Sequence, residues 1–415
     1  MLLEVDHGGY ALTTMAWRNF PRTSIAIAVQ CCLSLAGCGV LSNTDPQPSE
    51  IARSASVRSR DLQSDADELI RPLVESGQTP GVVAGVLLPD GSMRFFGYGV
   101  TVRNGNARPD GDTLFAVGSL SKGFLAAELA LLVDEGVLAW DDTVGALAPG
   151  STRLSDDARQ VTLLQLATHT AGMPRQPLDL QTLELFVRYL FTGESFYGHF
   201  DRDYVMNYLA TFSASHRGEP QYSNIGYGIL GHLLALRTGQ SAEASVEQRV
   251  IRPLGLSCTG YEPERLPCHA TRAHGYAGDQ PKFIPRGIAT PDWQFNDVMR
   301  ASAGLHSTAR DLLTMASAHM SGADTQLHAA LAGNAQGRPV GSSKTATVAW
   351  SSKKLDDRTI TYQVGLVAGY TSYIGLDIAN RTAVVILQNS FNWDLRAGHL
   401  LLLRTAPQAD AVTNR

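Results

Sequence analysis

Cysteine is scarce in this 415-residue chain: there are five, and three of them fall within the first 38 residues. No two cysteines stand in CxxC spacing and no two histidines in HxxxH spacing, so the common zinc-site patterns are missing. His169, His216, His232, His269, His274 and His306 are scattered and read as packed or exposed side chains, and neither a metal nor a cofactor is called for. An excess of positive charge is also lacking. With 34 Lys+Arg against 39 Asp+Glu, the chain cannot present the basic field that phosphate neutralisation requires, which excludes a nucleic-acid partner. Charged residues make up only 18% and hydrophobic ones 44%, the reverse of a disordered composition, and the length allows one large domain or two to three smaller ones.

Arg18 and Arg22 precede an apolar run from Ser24 to Gly37, too short for a membrane span of ~20 residues but shaped like a secretory h-region. It ends in Leu35-Ala36-Gly37-Cys38, which resembles the bacterial lipobox, where the cysteine sulfur receives a diacylglycerol. The expectation is a lipoprotein signal peptide over 1–37, lipidation of Cys38, and an exported protein held on the cell membrane or outer membrane, facing the periplasm. Residues 38–60 are polar and Pro/Ser-rich, as suits a tether, with folding expected from Asp61 onward. That leaves Cys258 and Cys268, ten positions apart, as a candidate disulfide in an oxidising compartment or as two inert thiols.

From Gly81 the chain reads as a strand, the turn Asp90-Gly91, and a returning strand, an antiparallel hairpin. Residues 120–137, 161–168, 225–238, 242–251 and 309–320 show helical periodicity. Residues 359–364, 370–377 and 382–388 are rich in Val, Ile, Thr and Tyr and read as strands, followed by an apolar helix around 394–404. Strands at both ends with helices between them imply an α/β (α+β) body over 61–410. Its antiparallel sheet is built from both chain ends and flanked by helices, with an all-helical subdomain inserted over about 130–310. The aromatic-rich segment 186–212 reads either as the core of that subdomain or as a rim over an active site.

Phe115-Ala-Val-Gly-Ser119-Leu-Ser-Lys122 places Ser-x-x-Lys at the start of a helical pattern. A spacing of three puts hydroxyl and amine on one helix face, where a desolvated lysine can take the proton from an attacking serine. The helix N-terminus adds donors beside a developing oxyanion. Alone the pattern is weak. Further on, Tyr222-Ser223-Asn224 follows a polar turn and opens a helix, so that Tyr222 can shuttle a proton and Asn224 can hold a substrate amide. Gly226-Tyr-Gly228-Ile-Leu-Gly231 fits G-x-G-x-x-G but follows no buried strand, so it reads as a close-packing helix face rather than a dinucleotide site.

Together these motifs resemble the class C β-lactamases and the related penicillin-binding protein, DD-peptidase and esterase group of serine hydrolases. The resemblance spans most of residues 66–405, with further landmarks at Leu166–Pro174, Arg252–Leu256 and Ala303–Asp311. It implies Ser119 as nucleophile, Lys122 as general base, Tyr222 as proton shuttle, and Gln176 with Asn224 as groups that hold the substrate amide. The departure comes at the third motif, where the family carries Lys-Thr-Gly or His-x-Gly on the strand lining the site. Here that place falls on Gln363-Val364-Gly365, and the cation is missing. Lys344-Thr345-Ala346 is a tempting substitute, but it lies 19 residues earlier and precedes Trp350.

Gly365 still admits substrate against the backbone, and the Leu366 N–H can still join the Ser119 N–H as an oxyanion donor. Replacing a charge-assisted bond to a substrate carboxylate by a neutral amide costs about 1–2 kcal/mol. The expected activity is therefore acyl transfer from an ester, amide or D-amino-acid peptide of peptidoglycan, with β-lactam hydrolysis weakened. A non-catalytic peptidoglycan- or acyl-binding lipoprotein and an acyltransferase using the same acyl-enzyme are the alternatives. The oligomeric state is not legible.

Overall fold

The structure, a computed structural model, describes residues 45–56, 61–322, 325–340 and 344–405. The first helices are α1 (Pro48–Ser56) and α2 (Leu62–Leu69), the latter capped by the Asp61 carboxylate on the Gln63 and Ser64 amides. Strands β1 (Gly81–Leu87) and β2 (Met93–Gly99) form the expected hairpin around Gly91, whose φ of 84° is the left-handed conformation that this turn needs. Strand β3 (Phe115–Ala116) leads through a 3-10 turn into α3 (Ser121–Asp134).

The helical part follows, with α4 (Leu163–Ala167), α5 (Leu180–Thr192), α6 (Arg202–Thr211), α7 (Asn224–Thr238), α8 (Ala242–Val246) and α9 (Asp297–Ala303). Beyond β4 (His306–Ser307) come α10 (Ala309–Met320), α11 (Gln326–Ala335), β5 (Arg338–Val340) and β6 (Lys344–Ala346). The chain ends in β7 (Ser351–Leu355), β8 (Arg358–Val367), β9 (Tyr370–Asp377), β10 (Thr382–Gln388) and α12 (Arg396–Thr405).

The main sheet has six strands in the order β2-β1-β10-β9-β8-β7, all antiparallel. Its two faces follow from strand alternation. Val83, Leu87, Val385 and Leu387 enter the larger core with α3 and the helical part, while Val82, Ala84, Val86, Val384 and Ile386 pack against Ala66, Ile70, Leu401 and Leu402 of the terminal helices. Val82 pairs with Gln388, so the first and last long strands lie side by side.

Three expectations are corrected. The supposed tether is in part folded: Pro48–Ser56 is helical and Ile51 packs into the core shared by α2 and α12, because this large apolar side chain and the helix's charges find partners there. Arg53 meets Glu68 at 2.7 Å and Glu50 meets Arg396 at 3.4 Å. The helix expected over 242–251 stops at Val246 and continues as a π turn over Glu247–Ile251. Strand β8 runs three residues past its expected end, since Gly365, Leu366 and Val367 keep pairing with Ser372, Thr371 and Tyr370. The signal peptide and Cys38 lie outside the described residues. Among the described residues no helix is long and apolar enough to cross a membrane.

Candidate active site

Ser119 sits in the 3-10 turn Gly118–Leu120, half-buried, at the entry to α3. The turn is pinned by Ser121, whose hydroxyl donates to the Gly118 carbonyl at 2.6 Å and accepts from the Leu305 amide at 3.1 Å. One turn into the helix Lys122 is 1% exposed, and its Nζ donates to Ser119 Oγ and to the Ser302 carbonyl, both at 3.1 Å. Burial pulls the Lys122 ammonium below the usual lysine range, and the nearby Arg175 charge pulls the same way. A lysine so placed gives up its proton more readily than a solvated one.

Tyr222, half-buried at the approach to α7, lies within hydrogen-bond reach of both Ser119 and Lys122. Burial alone would raise its phenol. The charges of Lys122 and Arg175, together with those contacts, outweigh burial and hold it below the ordinary tyrosine value. His169 stacks against Tyr222 with ring centroids 4.4 Å apart, and its Nδ1 accepts from the Ser223 amide at 3.1 Å. Burial first, then the Lys122 and Arg175 charges, push His169 down to about 3, so the ring is a neutral support that adds no charge to the pair above it.

Ser223 caps α7 by accepting from the Gly226 amide at 3.0 Å and donates to the Pro174 carbonyl at 2.8 Å, while the Asn224 amide donates to the Arg175 carbonyl at 2.8 Å. The segment 174–176 is thereby fastened to the start of α7. It brings Gln176 and Asn224 to a common partner, Tyr197. Asn224 Nδ2 donates to the Tyr197 hydroxyl at 2.7 Å, and that hydroxyl donates to Gln176 Oε1 in a longer 3.5 Å contact.

On the sheet side, β8 presses against the Ser119 turn. A Cβ at Gly365 would collide with the Val117 carbonyl oxygen and with Ser372 Oγ, so only glycine lets the strand come this close. The Leu366 amide nitrogen lies 3.2 Å from the Cβ position of Gly118, which brings that N–H beside the turn that carries Ser119. Gln363 does not replace the family's cation. It is 6% exposed, lies against Gly123, and donates from Nε2 to the Ala349 carbonyl at 3.0 Å. Lys344 stands on the separate two-stranded sheet of β5 and β6, exposed and paired with Glu219 at 3.0 Å.

A serine hydroxyl, a buried amine, a phenol beside them and two backbone N–H groups are the parts that acyl transfer needs. The profile of the family described as Beta-lactamase matches residues 66–406, more than half of the chain. The chain belongs to the beta-lactamase family.

Within that family the D-alanyl-D-alanine-carboxypeptidase/endopeptidase AmpH of Escherichia coli K12 is 30% identical over 184 residues, 43% of this chain and 45% of that protein. The chain thus spans less than half the length of this relative. A Beta-lactamase of Psychrobacter immobilis is 27% identical over 308 residues, 73% of this chain and 69% of its own. The crystal structure of a class C beta lactamase from Rhodobacter sphaeroides superposes with a TM-score of 0.65 at 25% identity, covering 82% of this chain and 98% of that one.

Three side chains of this beta-lactamase-family site were not singled out in the sequence as part of it. Arg175 stands directly between Pro174 and Gln176, His169 was read only as a packed or exposed histidine, and Tyr197 was hidden in the aromatic segment. That segment is mostly core: Tyr189, Phe196, Phe200 and Phe212 are buried, and only Tyr197 touches the site residues Asn224 and Gln176. The G-x-G-x-x-G glycines lie on α7, where a Cβ at Gly228 would stand 2.8 Å from Met299 Sδ, so they admit α9 at close range. Of the two readings of Cys258 and Cys268 the structure has the second, two free thiols, within hydrogen-bond reach of each other. Burial first and then the Cys258 thiol push Cys268 up to about 12, far from the thiolate that exchange chemistry needs.

Proposed function

We propose that this protein is a serine hydrolase acting through an acyl-enzyme on an ester or amide, with D-amino-acid peptides, β-lactams and simple esters as the substrate classes. The observation that carries the reading is the buried Lys122 Nζ, 3.1 Å from Ser119 Oγ and within reach of Tyr222. Ser119 Oγ bonds to the substrate carbonyl carbon as its proton passes to Lys122, directly or through Tyr222. The carbonyl oxygen takes up the electron pair and is met by the Ser119 and Leu366 N–H groups. As the carbonyl re-forms, the bond to the leaving group breaks and Tyr222 returns the proton to it. Water then enters by the same proton path in reverse and releases the acid. Gln176 and Asn224, held by Tyr197, position the substrate amide.

The same proposal places the protein outside the cytoplasm on a lipid anchor at Cys38, supported by the Arg18/Arg22 flank, the apolar run and the lipobox-like end. Membrane release on Cys38→Ser, read by fractionation, tests that part. The catalytic part is tested by intact-mass analysis after incubation with a fluorescent penicillin and with an activated ester, beside Ser119→Ala. A Ser119-dependent acyl adduct or turnover is expected. Folded protein, verified by circular dichroism, that forms no adduct and turns over neither reagent would sink the reading.

A further inference from the structure

Several arginines near the body of the fold are matched to carboxylates. Arg217 pairs with Asp157 at 3.1 Å, Arg272 with Asp292 at 2.7 Å, and Arg404 with Asp65 and Glu68 at 3.1 and 2.9 Å. Arg175 differs. Its side chain is exposed, and no carboxylate among the described residues pairs with it. Yet its position is fixed from below. Its carbonyl accepts from the Asn224 amide at 2.8 Å, its guanidinium carbon stands 5.1 Å from the centre of the Tyr222 ring, and it is within hydrogen-bond reach of Tyr197.

On the strand side neither candidate for the third-motif cation supplies a free charge. Gln363 is neutral and turned to the Ala349 carbonyl, and Lys344 is taken by Glu219. Lys122 is shut in behind Ser119 and donates to protein atoms. Arg175 is thus an open cation beside Tyr222, on the helical side of the site.

We propose that Arg175 is the anion anchor of this site, binding a carboxylate of the substrate through its guanidinium while Asn224 and Gln176 hold the neighbouring amide. A planar fork with donors facing solvent suits a carboxylate, which it can grip with two hydrogen bonds. Substrates ending in a free carboxylate are then favoured in spite of the neutral residue at 363. The proposal rests on the acyl-enzyme reading above and names the substrate class of that site.

The test uses two chromogenic thioesters, one ending in a free carboxylate and the other its methyl-ester twin, with wild type, Arg175→Gln and Arg175→Lys. Arg175→Gln is expected to lower kcat/KM about tenfold or more for the carboxylate substrate, mostly through KM, and less than about threefold for its twin. Arg175→Lys should keep much of the preference. Equal losses on both substrates, with the acid limb of the pH profile moved upward in both, would show that Arg175 acts only through Tyr222 and would overturn the anchor. No change on either substrate would overturn it as well. If wild type turns over neither and forms no Ser119-dependent adduct, the acyl-enzyme reading itself fails. The anchor is then judged by calorimetry, as loss in Arg175→Gln of binding to the carboxylate twin; equal binding to both proteins overturns it.

Discussion

Helix α3 carries two ionisable side chains shut off from water, Lys122 at 1% exposure and Glu128 at 0%, and their surroundings treat them differently. Burial drives both toward the neutral form, lowering the lysine and raising the glutamate to about 7. Lys122 has hydrogen-bond partners in Ser119 and Ser302 and lies within reach of Tyr222, and two of these, Ser119 and Tyr222, are half-exposed. Neither carboxyl oxygen of Glu128 has a partner at good geometry among the described residues. The Ser245 hydroxyl and the Arg249 charge oppose its rise, Glu243 adds to it, and the Tyr261 phenol lies in the same surroundings. A perturbed proton affinity is thus no mark of catalysis by itself. What separates the two positions is a chain of hydrogen bonds that reaches an atom a substrate can touch.

The strongest way to break this contrast is Lys122→Met, which keeps the volume and removes the amine. Turnover of an activated ester should fall about 10³-fold with little change in melting temperature, since a desolvated charge is replaced by an apolar side chain. A loss under tenfold would mean that Lys122 is as idle as Glu128.

Glu128 should show itself in stability instead. Its folded value of about 7 lies above the ordinary 4.5, so the native state holds a proton that the unfolded chain gives up. Stability is therefore fully present below pH 4.5, is lost as pH rises toward 7, and levels off beyond, with a total of up to about 3 kcal/mol. Glu128→Gln should flatten that decline in urea titrations at pH 5 and 8 while turnover stays within twofold. A decline of unchanged depth would place its origin elsewhere.

Tyr222→Phe leaves the lysine in place and cuts its link to the leaving group. A drop of about 10²-fold in kcat is expected, larger for a poor leaving group than for an activated one. Equal effects on both would argue against a shuttle. The smallest effect should come from Gln363→Lys. An ammonium there would be buried against Gly123 with the Ala349 carbonyl as its partner, lowering stability by about 1–2 kcal/mol. A melting temperature at or above wild type would show that the side chain escapes toward the cleft.

Short-range patterns carried most of the fold into the sequence. The hairpin at Asp90-Gly91, the helix over 309–320 and the strands 370–377 and 382–388 rest on turn chemistry and periodicity, which are local. Ser119, Lys122, Tyr222 and Asn224 were legible because each pair sits within three residues and fills a recognisable pattern. Arg175 and Tyr197 were not, because their roles depend on neighbours brought in by the fold: Tyr197 meets Asn224 across 27 positions. The helix at 48–56 was missed for the same reason, since its polar sequence is held by partners near residues 68 and 396.

The adjacency of β1 and β10 sets an order on how this molecule is made. Val82 finds its partner at Gln388, so one side of β1 stays without its neighbour until nearly the whole chain has been synthesised. The Ser119 turn depends on β8, which is also late, for the Leu366 amide beside it and the Ser372 hydroxyl that donates to the Val117 carbonyl at 2.8 Å. Contacts of such long sequence separation form slowly. A nascent chain of this design completes its main sheet, and the surroundings of its Ser119 turn, only when the last strands arrive.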